Sequence, residues 1–233
     1  MNRIKFIESI RRTEHITSFR FENCNKLTFK PGQFTKIIFD KNDIQNKDLN
    51  KYLSFSSSPG KEYLEFSKRI SDSNFSRKLT ALKKGDEIFL TDAMGNCLLK
   101  KEEKKVSFII GGIGCTPAIS ILEDMYEKGD KTDIHCFYGN SAPDDIAYDK
   151  ELKLWTKKLN LKITHVVIEN PDKLPGFELG FINAPIIEKN MPDFSERLIY
   201  IFGPPIMVKI LKDVCLSMGC SENRILAENF MGY

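Results

Sequence analysis

Gly111, Gly112 and Gly114 place three glycines in four positions, and Cys115, Thr116 and Pro117 follow them directly. The heptad sits between the apolar run Val106-Ser107-Phe108-Ile109-Ile110 and a segment, "PAISILEDMYEKG", that reads as a helix. Bare backbone lets a main chain approach a bulky anion without Cβ interference, and a helix N-terminus offers N–H groups carrying partial positive charge. Thr116 can add a hydroxyl donor, and Pro117 suits a first helical turn, where its missing N–H costs nothing. Such a turn could hold a pyrophosphate. A tight strand-to-helix turn without any ligand fits the heptad equally well, because glycine-rich turns are common.

Other chemistry-bearing residues are sparse. Cys24, Cys97, Cys115, Cys136, Cys215 and Cys220 are scattered, with no C-x-x-C and no four-ligand run of the kind an iron–sulfur centre needs. Reduced, mostly buried thiols are the expected state. His15, His135 and His165 stand alone in strand-like stretches and are expected to be half-buried strand residues. No metal site is expected.

The elements that must position the glycine turn fall into two rhythms. Up to about residue 100, "NRIKFIESI", "HITSFRFE", "GQFTKIIFD", "YLSFSSS", "EYLEFSKRI" and "DEIFLTD" are short, rich in β-branched or aromatic residues, and bounded by turn formers. That spacing predicts an antiparallel barrel or sandwich. One helix interrupts it, "SRKLTALKKG", with Ser76 as its start and Gly85 as its stop. The charge run "KKEEKK" (100–105) marks the seam, dividing the chain at 1–102 and 103–233. Beyond it, apolar strands alternate with helices: "VSFII", "DIHCFYG", "LKITHVVI", "RLIYIFG" and "RILAENF", with helices after the glycine turn, in "AYDKELKLWTKK", around "FINAPIIEKN" and in "PPIMVKILKDVCLSMG". Such alternation predicts a parallel sheet covered on both faces, with ligands at the carboxyl ends of its strands.

With 233 residues, 41 % hydrophobic and 29 % charged, the chain is long enough for two small domains with real cores. A net charge of +3, with Lys interspersed among Asp and Glu, gives no basic stripe for nucleic acid. No apolar run approaches the ~20 residues of a membrane span, and the N-terminus has no signal-peptide core, so a cytoplasmic location is expected.

"PGQF" (31–34), "YLSFSSSP" (52–59), "GGIGCTP" (111–117), "FYGN" (137–140), "FGPPIM" (202–207) and "ENFMGY" (228–233) occur in this order across nearly the whole chain. Together they resemble the ferredoxin–NADP reductase family, flavoenzymes that join a flavin-binding antiparallel Greek-key β-barrel to an α/β parallel-sheet domain for a nicotinamide dinucleotide. The resemblance accounts for the G-G-x-G-x-T-P turn in place of G-x-G-x-x-G. It assigns Gly111, Gly112, Gly114, Thr116 and Pro117 to the dinucleotide, with Gly203 and Pro204 at the nicotinamide corner. The family's cysteine there is Phe202 in this chain, leaving Cys115 as either a substitute thiol or a small apolar filler.

On the flavin side the family's Arg-x-Tyr-Ser motif corresponds to Lys51-Tyr52-Leu53-Ser54, continuing through Phe55, Ser56 and Ser57. The resemblance places Ser54 beside the reactive flavin nitrogen. Lys51 keeps a charge but loses a bidentate fork, and Leu53 replaces an aromatic, so flavin binding is expected to be about tenfold or more weaker. "SNFSRKL" (73–79) resembles the family's pyrophosphate turn, with Ser76 as N-cap and the N–H of Arg77 as donors; a plain capped helix is the alternative. A pyrophosphate site implies FAD over FMN.

After "FYG" the NADP-preferring relatives carry an Arg. This chain reads Asn140-Ser141-Ala142-Pro143-Asp144-Asp145, and Asn140 suits free ribose hydroxyls, so NADH is expected over NADPH. At the C-terminus Glu228, Phe230 and Tyr233 match an E-x-F ending, with Tyr233 covering the flavin. Ser54, Glu228 and Tyr233 are thus the candidate catalytic residues. The implied activity is hydride transfer from a nicotinamide to FAD and electron delivery to a separate acceptor, a redox protein or a small molecule. Alternatives are a reductase of freely diffusing flavin, an electron-transfer subunit of a larger oxidoreductase, and a nucleotide-binding regulator without turnover.

Overall fold

The computed structural model describes residues 1–100 and 102–230. Six strands build the first half: β1 (Asn2–Arg11), β2 (Ile16–Glu22), β3 (Phe34–Ile38), β4 (Asn50–Ser54), β5 (Tyr63–Arg69) and β6 (Glu87–Leu90). They form one antiparallel sheet in the order β4-β3-β6-β1-β2-β5. Beyond β4, Phe55 bridges Phe66 of β5 and Ser56 donates its N–H to the Glu65 carbonyl at 2.8 Å, which joins the two edge strands. The period-2 alternation of Ile4 and Phe6, of Phe19 and Phe21, and of Leu64 and Phe66 turns these side chains into one core. Helix α1 (Asn74–Thr80) lays Phe75 and Leu79 on that core.

The second half is a wholly parallel sheet: β7 (Lys105–Gly111), β8 (Asp133–Asn140), β9 (Leu161–Val167), β10 (Phe177–Leu179), β11 (Leu198–Gly203) and β12 (Ile225–Asn229), ordered β10-β9-β8-β7-β11-β12. Helices α2 (Thr116–Lys128) and α3 (Asp149–Trp155) pack Ile119, Leu122, Met125, Leu152 and Trp155 on one face. Helices α4 (Ala184–Asn190) and α5 (Pro205–Ser217) pack Ile186, Ile187, Val208, Leu211 and Cys215 on the other. The central strands are buried on both sides, which is why they read as unbroken apolar runs.

Four details differ from the sequence reading. Helix α1 begins after Ser73, whose hydroxyl accepts from the Ser76 N–H, so Ser73 and not Ser76 is the N-cap. It ends at Thr80, and five residues later Gly85, at φ 93°, turns the chain and donates its N–H to the Phe6 carbonyl. Helix α3 starts at Asp149 because Ala147 and Tyr148 are buried and Tyr148 sits in the left-handed region at φ 63°. Strand β10, only three residues long, has too little sequence for a periodic signal. The 103–105 end of the charge run is paired: Glu103 with Arg224, and Lys105 with Asp193 and Glu196. Among the described residues no helix is long and apolar enough to cross a membrane.

Candidate functional site

Strand order reverses at β7: β8 continues to one side, while β11, next after three intervening strands in the chain, lies on the other. A sheet opens a crevice at the carboxyl ends of strands around such a point. Two of the sequence-predicted pieces meet there. Residues 112–115 form a short 3-10 turn that leads directly into α2, and Gly203 ends β11 beside it. A Cβ on Gly114 would stand 2.9 Å from the Gly203 Cα, and one on Gly111 would overlap the Met207 sulfur. These two glycines are bare because strand ends and α5 must pack closely. Gly112 is different: it has φ +50° and nothing within 4 Å of its Cβ position. Of the three, it is the glycine that presents open backbone. Tyr138, fully buried, donates its hydroxyl to the Gly112 carbonyl at 3.2 Å and fixes the turn from β8.

Thr116 and Pro117 are buried at the start of α2. The Thr116 hydroxyl donates to the Ile113 carbonyl at 3.4 Å, so it closes the turn from within. Cys115 is fully buried with its thiol pushed up to about 12 by burial, which fits the apolar-filler reading. Phe202 is equally buried, inside the sheet.

The barrel brings β5 against the 112–115 turn and the end of β4 toward α2. Ser54 is buried, and its hydroxyl has no hydrogen-bond partner among the described residues. A buried hydroxyl without a partner is costly, and one at the end of a strand is suited to a ligand. Leu53 is half-buried at the edge of the barrel core, and Lys51 is half-buried beside it. Tyr52 points outward, edge-on to Phe34 and within 5.3 Å of the Lys36 ammonium.

Three side chains of this stretch are already committed. Phe55 is fully buried and stacks on Phe29 with ring centres 3.9 Å apart, so its side chain belongs to the barrel core and not to a ligand site. Ser56 shares a hydrogen bond with Ser67 at 3.1 Å. Ser57 accepts from the Glu65 N–H at 3.1 Å. At α1 the Arg77 N–H is likewise taken, by the Ser73 carbonyl at 3.0 Å, and the buried Ser76 hydroxyl sits within a Ser71–Ser73–Ser76 cluster. The donors expected there from Ser76 and Arg77 are therefore used inside the helix cap. The Asn74 and Phe75 N–H groups are the ones that precede the intrahelical ladder.

Asn140 ends β8 with both amide atoms buried and unpartnered among the described residues. Around it the chain is acidic: exposed Asp144 and half-buried Asp145 follow, and the Glu169 N–H bonds the Ser141 carbonyl at 2.9 Å, bringing a third carboxylate to this rim. Phe181, 73 % exposed, lies next to Ile182, which packs on Gly139. Neither Glu169 nor Phe181 was legible as a site residue, because the β9–β10 and β10–α4 connections that carry them have no motif.

Glu228 pairs in register with Phe202, and the Phe230 N–H reaches the Gly203 carbonyl at 3.0 Å, so the C-terminal strand closes over the same corner as Pro204. Burial pushes the Glu228 carboxyl up to about 7, partly offset by a hydrogen bond with Cys97. Cys97 is thus the thiol beside this carboxyl, held up at about 12 by burial and by Glu228. No spacing rule singles it out, since it lies in the stretch linking the two sheets. Tyr233 lies outside the described residues. Among those residues no group of three or more His, Cys, Asp or Glu could hold a metal ion.

Comparison with known proteins places this geometry. Residues 108–213 match the oxidoreductase NAD-binding domain. Over 238 residues the chain is 26 % identical to the glycine betaine monooxygenase reductase subunit of Chromohalobacter salexigens, covering 97 % of this chain and 63 % of that one. The chain thus spans less than two thirds of that relative's length. The ferredoxin reductase of carbazole 1,9a-dioxygenase superposes with a TM-score of 0.83 at 24 % identity, over 99 % of this chain and 69 % of that one. A ferredoxin NADP+ reductase from Neisseria gonorrhoeae, solved with FAD and NADP, gives 0.82 at 21 % identity over 97 % of both. Residues 108–213 thus match an oxidoreductase NAD-binding domain, and the two-sheet fold is that of ferredoxin–NADP reductase-like structures, the fold that the six motifs imply.

Proposed function

We propose that the chain is a flavin-dependent NAD(P)H reductase, binding FAD along residues 51–57 and a nicotinamide dinucleotide at the carboxyl end of β7. It would pass electrons to a separate acceptor, with 1–102 and 103–233 as its two functional units. The observation that carries this reading is that two of the buried groups without partners stand at strand ends: the Ser54 hydroxyl at the end of β4 in the barrel and the Asn140 amide at the carboxyl end of β8 in the parallel sheet. Both lie where a flavin and a dinucleotide would supply the missing partners, and Gly112 offers open backbone between them.

When bound, the flavin supplies acceptance of a hydride from the reduced nicotinamide and its release as single electrons. The protein's share is orientation. Ser54 would hydrogen-bond the flavin edge, with Leu53 against the ring and Lys51 giving charge to a phosphate. Tyr52 points to solvent and serves the strand, not the ring. Gly112, with the α2 N-terminus behind it, would receive the dinucleotide phosphates, while Gly111 and Gly114 let that turn seat against Gly203. Pro204 and Glu228 would border the nicotinamide.

NADH is the preferred donor in this reading. The rim of Asp144, Asp145 and Glu169 has no cation of its own to hold a further phosphate on the adenosine ribose, and like charge repels one. Asn140 would instead bond ribose hydroxyls.

A second reading has a specific observation behind it. With the Arg77 N–H and the Ser76 hydroxyl engaged in the α1 cap, fewer donors remain for a flavin pyrophosphate, which favours a flavin that exchanges as a substrate. One experiment tests both. The purified protein is passed through gel filtration, its visible flavin absorbance recorded, and bleaching by NADH followed anaerobically. Retained flavin that bleaches supports the reductase with resident FAD. Flavin that is lost but reduced when supplied supports the exchanging form. A protein that neither binds nor reduces flavin overturns the proposal.

A further inference from the structure

Helix α2 leaves the glycine turn and runs directly onto the strand end that follows Ser54. The Ser120 hydroxyl donates to the Ser57 carbonyl at 2.7 Å. One turn on, the Ser58 N–H donates to Glu123 Oε2 at 2.7 Å, and the Ser58 hydroxyl donates to Glu127. Lys61 spans both carboxylates, at 3.3 Å from Glu123 and 2.6 Å from Glu127. Positions 120, 123 and 127 are spaced i, i+3, i+7, so they form one stripe along a single helix face. Ser57, Ser58 and Ser120 are all within 1 % of complete burial, so the serine contacts of this junction exclude water, while Lys61 and Glu127 form its partly solvated edge. One 13-residue helix therefore touches the dinucleotide turn with its first residue and the flavin strand with its flank.

We propose that Ser120, Glu123 and Glu127 are positioning residues for hydride transfer, holding residues 57–58, and through them Ser54, in fixed relation to the glycine turn. The inference rests on the reductase reading above. Its logic is that a near-attack arrangement of two bound rings tolerates little displacement, and a shift of about 1 Å can cost roughly a hundredfold in rate. Main-chain atoms of the flavin strand are gripped by the helix itself, with no mobile loop between them. Glu123 is the central group. Burial raises its carboxyl above the ordinary range while the Ser58 N–H and Lys61 favour its charged form. The charged groups facing it are Lys61 and Glu127, with the Tyr63 hydroxyl nearby.

The test is rapid-mixing reduction of the flavin-loaded protein by saturating NADH. Glu123→Ala should slow flavin reduction about tenfold while leaving the NADH dissociation constant and flavin retention unchanged. Glu123→Gln keeps an oxygen for the Ser58 N–H and should restore most of the rate. Should Glu123→Ala fail to fold, Ser120→Ala is to show the same split between rate and affinity. A purely structural junction would lower stability without that split or rescue. Unchanged reduction in the folded variants overturns the positioning role while leaving the reductase intact. A wild-type protein that NADH cannot reduce removes the reductase reading, and this inference with it.

Discussion

Tyr148 donates its hydroxyl to the buried carboxylate of Glu65 at 3.0 Å, joining the start of α3 to barrel strand β5. The same hydroxyl meets Ser67, and Ser18 at 3.2 Å, while the Arg12 guanidinium lies 4.3 Å from the Tyr148 ring centre. Glu65 also takes Arg12 at 3.0 Å and Arg20 at 2.8 Å, and Arg12 continues to Glu151 of α3. Two arginines on one carboxylate with few exposed atoms form a network in which each member depends on the others.

Tyr148→Phe should therefore cost about 1–3 kcal/mol, since it leaves Glu65 and two serines short of a donor but keeps the ring. Glu65→Leu should cost more, about 3–5 kcal/mol, because it removes the buried carboxylate that two partly buried guanidinium groups share, leaving Arg12 only Glu151 and Arg20 only Glu8 as ion-pair partners. Urea denaturation of both variants measures the order. Equal, sub-kcal losses would mean the network contributes little.

The glycine turn separates packing from binding. Gly114→Ala drives a methyl into the Gly203 backbone and should destabilise by about 1–3 kcal/mol, because neither strand end can yield. Gly112→Ala meets no neighbour but forces alanine to φ +50°, a cost of about 1 kcal/mol. Its distinctive effect should be on nucleotide: a weaker dissociation constant for NADH with a nearly normal melting temperature. Gly111→Ala should be partly rescued by Met207→Ala, which removes the atom it strikes. Melting curves and NADH titrations of the four proteins check all three statements.

These residues also show how far the sequence carried. The two-part architecture was legible because aromatic alternation in β1, β2 and β5 and apolar runs in β7 and β11 are dictated by burial on one face or two; the order of strands within each sheet was not. The glycine turn was legible as a turn, but its glycines are bare mainly for Met207 and Gly203, which are distant in sequence. Ser76 was read as the N-cap because Ser71, Ser73 and Ser76 are all good caps, and tertiary packing of Phe75 and Leu79 picks Ser73. Phe55 looked like a site residue on its motif and is core, since a strand alternates and its neighbour Ser54 has the other side. Cys97 and Glu169 arrive through the folding of linkers without periodicity, so only geometry finds them.

The acidic rim at the end of β8 is the basis of the proposed NADH preference. NADH should exceed NADPH in kcat/KM by roughly tenfold or more, the worth of one missing charge-assisted bond plus repulsion. Ser141→Arg, placing a guanidinium on the exposed rim beside Asn140, should narrow that ratio by about tenfold, chiefly through KM for NADPH. A wild-type preference for NADPH would contradict the reading of this rim.

Glu228 predicts a pH dependence whose sign follows from burial. Its carboxyl titrates near 4.5 when free and is raised to about 7 in the folded chain, chiefly by desolvation beside Cys97. Between these values the unfolded chain has released its proton while the folded one retains it. Folding stability contributed by this group is therefore full below about pH 4.5 and declines as pH rises toward about 7, beyond which the burial penalty on the charge is constant. Glu228→Gln removes the titrating group while keeping shape and hydrogen-bonding capacity. The variant should melt higher than wild type at pH 8, match it near pH 4.5, and lack the wild-type decline between them. If Glu228 also borders the nicotinamide, the rate of flavin reduction by NADH should titrate near the same pH in wild type and become flat in the variant. Identical melting profiles for the two proteins would mean the carboxyl is solvated and its charge carries no penalty.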